Sequence, residues 1–354
     1  MPTPLAGERI RALRHLLGLT QEQLAEAAGV GQSRISEIER GRLAATDDVI
    51  DAIVAATATP RRFFEVIPPD VPLATLRFRK YATARRSEAK QVKALFDEAY
   101  RITSELMCKA GYGGPALPFA TTDVSNDDIE DLAAQTRESL QIGGHGPMMH
   151  VTRACERAGI AVVPLTLPGE EDEAQKVDHF GISYWAAPHE PALIAFFTGG
   201  PGDRQRFTLA HELGHLVLHS RRRVVADPEG EAHRFAGALL LPRKRAVEAL
   251  SAPVVLTDLA RLKATWGISI QALIMRGWHL GLIDDARKKS LFIQLGARGW
   301  KRNEPVHVGH EEPILVRKLL ASFYGSHMSD MKIADEVGLH AMTLRSMAPK
   351  SSAA

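Results

Sequence analysis

The chain has 354 residues with 45% hydrophobic and 24% charged side chains, the balance of an ordinary globular protein, so its class requires neither pervasive disorder nor a membrane. A net charge of +2 excludes a strongly basic nucleic-acid coat, and no apolar run reaches the roughly 20 residues that span a bilayer. Cys108 and Cys155 are far apart and form no CxxC pair, and the first 15 residues lack a secretory h-region; a reducing cytoplasm with free thiols is expected.

At the N-terminus, Ile10, Leu13, Leu16 and Leu17 recur at helical spacing. Thr20 followed by Gln23 is a capping-box pattern, which predicts a helix from Gln21 that Gly29 stops. A second helix is expected from Gln32 to Arg40, ended by Gly41. Two short helices joined by a glycine turn form a helix-turn-helix. Its second helix would present Gln32, Ser33 and Arg34 to the major groove, where Gln suits adenine, Arg suits guanine and Ser suits either base or phosphate. Gln21 would touch phosphate. The stretch "LTQEQLAEAAGVGQSRISEIERG" resembles the Cro/C1-type (XRE) helix-turn-helix family. That resemblance implies an all-α domain over 1–67, a double-stranded DNA operator as partner, and a homodimer. The alternative is a small helical bundle that recruits proteins; eight basic against nine acidic residues over 1–65 leave it open.

Residues 68–145 read as a proline-containing linker and a helical connection. Between 72 and 101, eight Lys/Arg (Arg77, Arg79, Lys80, Arg85, Arg86, Lys90, Lys93, Arg101) face three acids, which suits a solvated basic helix or a phosphate-facing surface. Beyond another helix over 127–140, "GIAVVPL", "FGISYWA" and "ALIAFFT" have strand composition, and the last two read as a hairpin.

"RFTLAHELGHLVLH" follows. His211 and His215, four apart, lie on one face of a helix and can occupy two corners of a zinc tetrahedron. Glu212, one step round the helix, is placed to act as base toward water that a metal has acidified. A catalytic site needs a third ligand from a later element, and Glu231, opening an amphipathic helix with Phe235, Ala236, Leu239 and Leu240 inward, is the expected one. Glu229 competes, on a segment expected to be less ordered, and Asp227 ranks lower. "RQRFTLAHELGHLVLH" with "EAHRFAGALLLP" resembles the ImmA/IrrE metallopeptidases. The resemblance spans about 150–285 and includes "WGISIQALIMRGWHLGLI". It implies ligands at His211, His215 and Glu231, Glu212 as general base, one zinc per chain, and a repressor or the chain itself as substrate. His219 is expected to support the site rather than bind metal, and His233 stands where the family has Asn.

The expected fold is mainly α with a small β-sheet, an N-terminal all-α domain preceding an α+β zincin-like domain over 146–285. A C-terminal helical region with a disordered end is expected over 286–354, and within it 313–347 is expected to pack with the peptidase region, a second helix-turn-helix being the alternative. The readings in competition are a regulator that cleaves, a regulator whose zinc domain only senses, and a protease with a recruiting bundle.

Overall fold

The computed structural model describes residues 5–67, 69, 71–72, 86–167, 181–251 and 253–349. Most of the expected linker and the basic residues Arg77, Arg79, Lys80 and Arg85 fall outside them. The chain divides into two compact units.

The first unit opens with α1 (Leu5–Leu16), α2 (Gln21–Ala28), α3 (Gln32–Glu39) and α4 (Asp47–Thr57), then a 3-10 turn at Arg61–Phe64 and the long α5 (Arg86–Lys109). Both halves of the Thr20 capping box form, and Gly29 ends α2 in the left-handed conformation at φ 63°. Ile10, Leu13, Leu16, Leu24, Ile35 and Ile38 are buried, so the helical spacing read in the sequence marks the core face.

The second unit comprises residues 113–162 and 174–313. It contains α6 (Asn126–Ser139) and α7 (Val151–Arg157), then β2 (Gly181–Tyr184) and β3 (Ala192–Phe197) of a sheet in the order β1-β3-β2, whose β1 (Ile160–Leu165) begins in this unit and has its last three residues counted with the first. β2 and β3 form the expected antiparallel hairpin, with Ile182 opposite Ala195. The helices α8 (Gly202–His219), α9 (Pro228–Leu240), α10 (Arg243–Leu250), α11 (Leu256–Trp266), α12 (Ile270–His279) and α13 (Asp285–Ala297) follow. One apolar core runs through this unit and includes Leu209, Leu213, Phe235, Leu239 and Ile274.

The C-terminal helices α14 (Leu315–Tyr324), α15 (Asp330–Val337) and α16 (Ala341–Met347) belong to the first unit. This corrects the expectation that they pack with the peptidase region. The physical reason is a polar tie that leaves no sequence pattern. Arg101 on α5 donates to the carbonyls of Val337 at 3.0 Å and Gly338 at 3.2 Å, satisfying the end of α15. Arg101 also binds Glu98, whose other oxygen takes the buried Arg9 at 2.6 Å. No described helix is long and apolar enough to cross a membrane.

Candidate metal centre

Helix α8 is largely buried, because helices and the sheet cover it on several sides. Leu209, Leu213, Leu216 and Val217 are buried, and His211 and His215 sit half-buried one turn apart. Their Nε2 atoms converge to 3.1 Å. Gly214 lies between them and lets α9 approach closely: a Cβ there would stand 3.0 Å from Phe235 Cδ1 and 3.3 Å from the Ala232 Cα.

The third member of this group is the carboxylate of Glu229. Its oxygens lie 3.4 Å from His211 Nε2 and 3.5 Å from His215 Nε2. One ligand atom from each of His211, His215 and Glu229 fits within a 4.8 Å cluster. Glu231 points elsewhere: its Oε2 is 3.0 Å from His219 Nε2 and accepts from Arg222 at 2.5 Å. The helix start explains the difference. Asp227 caps α9 by accepting from the Gly230 amide at 2.9 Å, and Pro228 occupies the first turn. Glu229 is therefore held on an ordered helix. Residues two apart on a helix project about 200° from each other, so Glu229 and Glu231 diverge.

The side chains fit a divalent cation. Two imidazoles and one carboxylate converge with Nε2 and oxygen atoms close together, the donor set that suits zinc. Behind His215 runs a directed chain. His215 Nδ1 lies 2.8 Å from His219 Nδ1. If His215 offers its Nε2 lone pair, its proton sits on Nδ1 and is donated to His219, whose own Nε2–H then points at Glu231. Arg222, also bound to Asp123 at 2.9 Å, holds that carboxylate in place.

Glu212 is buried beside the histidine pair. Ser183 on β2 donates to its Oε2 at 2.8 Å. Burial pushes the carboxyl up to about 7, the Glu229 charge adds to the rise, and His211 and the Ser183 hydroxyl oppose it. Gly181 on the same strand passes so close that a Cβ would lie 2.4 Å from Glu212 Cγ. Neither Ser183 nor Gly181 was identified from the sequence. The GIS tripeptide carried only a strand signal. His233 stacks edge-on between His211 and Phe207, with ring centroids 5.1 Å from each.

Residues 155–276 match the family model described as the IrrE N-terminal-like domain, a peptidase family, and residues 10–64 match the model described as Helix-turn-helix. The chain joins a helix-turn-helix domain to an IrrE N-terminal-like domain. No curated protein matches it. In the helix-turn-helix domain, Gln32 and Ser33 are exposed at the start of α3. Gln21 donates to Glu39 at 2.8 Å and accepts from Gln32 at 3.4 Å. Arg34 is drawn aside to Thr46 at 2.8 Å and Asp48 at 3.4 Å. The Gln21–Gln32 bond ties the first residues of α2 and α3 together, while Arg34 would have to leave its partners to reach a base.

Proposed function

We propose that the chain is a DNA-binding transcription regulator whose IrrE N-terminal-like domain is a zinc metallopeptidase acting on a repressor or on its own chain. The observation that carries this reading is the convergence of His211, His215 and Glu229 with the buried carboxyl of Glu212 beside them. Zinc held there would acidify water and polarise a peptide carbonyl. Glu212 would accept the proton of the attacking water and pass it to the departing amine, because its buried carboxyl lies beside the histidine pair. Ser183 holds the Glu212 carboxylate in one orientation. The ligand assignment moves from Glu231 to Glu229 on the distances above. In the helix-turn-helix domain, Gln32, Ser33 and a released Arg34 would face the operator, with Gln21 near phosphate; two copies of the chain would read two half-sites.

A sensing role without cleavage is the second reading, favoured by the near-complete burial of Glu212. One experiment separates the two. Zinc per chain and cleavage, of the chain itself and of candidate repressors, are measured for the wild type and Glu212→Gln. The peptidase reading expects one zinc in both and cleavage lowered at least about 100-fold in the variant, the scale of a general base. Zinc in both with no cleavage in either would leave a sensor, and no zinc in either would remove the metal site.

A further inference from the structure

Beside the metal centre lies a cavity of about 460 Å³, within the range of small-ligand pockets. His233 forms part of its wall, and the ring of His233 packs on His211, so the cavity and the candidate metal pair share a side chain. Phe207, Met275 and Phe292 give it apolar surface.

Its charge is unbalanced. The two acids on its wall, Asp203 and Glu304, both bind Lys263, at 2.6 and 3.0 Å. Glu304 also accepts from the Ile270 amide at 2.7 Å, so it fills the anion position at the start of α12 from within the chain. Arg276 is neutralised by Glu130, which is not on the wall. Arg204, Lys301 and Arg302 remain. All three are exposed, and their side chains have no ion-pair partner among the described residues. His279, also on the wall, is pushed down to about 4 by burial and by Arg234 and Arg276, as expected in a positive field.

We propose that this cavity binds a carboxylate attached to an apolar body, the carboxylate meeting Arg204, Lys301 and Arg302 and the apolar part lying on Phe207, Met275 and Phe292. The carboxylate belongs either to the end of a peptide chain or to a free aliphatic acid. The site goes beyond the peptidase reading, because an occupant would bind whether or not the neighbouring centre cuts.

The test uses the full chain stripped of metal, so that zinc cannot capture the carboxylate. Calorimetry compares acetyl-trileucine with its C-terminal amide, and hexanoate with hexanamide. The same titrations are run on the triple variant Arg204→Gln, Lys301→Gln, Arg302→Gln, whose fold is checked by circular dichroism; all three positions are exposed, and Arg204→Lys serves as a conservative control. In at least one pair the carboxylate should bind about 10-fold tighter than the amide, with the preference lost in the triple variant and kept in Arg204→Lys. A preference in the peptide pair assigns the site to a chain end, and in the hexanoate pair to a free acid. Equal affinities in both pairs, or a preference that survives the triple variant, overturn the proposal. A chain that binds these carboxylates without cleaving any substrate would refute the peptidase reading alone.

Discussion

Glu229 and Glu231 are separated by a single glycine, yet one faces two imidazoles and the other an arginine. Their removal should therefore have different consequences. Glu229→Ala takes a ligand atom from the cluster and should weaken zinc binding by well over the about 10–100-fold typical of an outer hydrogen-bond partner. Glu231→Ala should fall inside that outer range, because His219 loses only its acceptor. Competition with a chromophoric chelator measures both; an equal or larger loss for Glu231→Ala would restore Glu231 as the ligand. The histidine pair and the adjacent carboxylate were legible as residues because four-residue spacing on a helix defines a face without reference to any other element. The choice between two nearby glutamates was not, since it turns on where α9 begins.

At the scale of elements, the site is built where α8 meets α9 and β2. Small residues set both approaches: Gly214 admits α9 and Gly181 admits the Glu212 side chain. Gly181→Ala would place a methyl within 2.4 Å of Glu212 Cγ and should drive that carboxyl out of its bond with Ser183. Overpacking of this kind costs about 1–3 kcal/mol. We expect the variant to bind zinc as the wild type does and to lose cleavage, because none of the three ligand side chains is among the atoms the new methyl meets first. Zinc content and peptide cleavage on one preparation check it, and unchanged cleavage would count against Glu212 as the base. The strand itself was predicted; its contact with α8 was hidden because β2 and Glu212 are separated by 31 residues along the chain or fewer, with nothing in either segment naming the other.

At the scale of the whole molecule, stability carries a pH signature from the second unit. His279 has its pKa lowered from 6.5 to about 4 by burial and neighbouring cations. The unfolded chain therefore binds a proton that the native chain refuses, and stability falls as pH drops from about 6.5 through about 4. After allowance for partial exposure the loss is about 1–2 kcal/mol. Urea midpoints for the wild type and His279→Gln at pH 7 and pH 4.5 should show a smaller acid loss in the variant; parallel losses would sink the assignment.

The capping box of α2, the helix-turn-helix and the paired histidines were determined by the sequence alone, because each depends on spacings within a few residues. Tertiary structure decided which glutamate joins the histidines, which strand holds Glu212, and which unit receives α14 to α16. Those outcomes rest on contacts between segments far apart in the chain, such as Arg101 with Val337. Local periodicity reports which face of an element is buried; it carries no record of the partner that buries it.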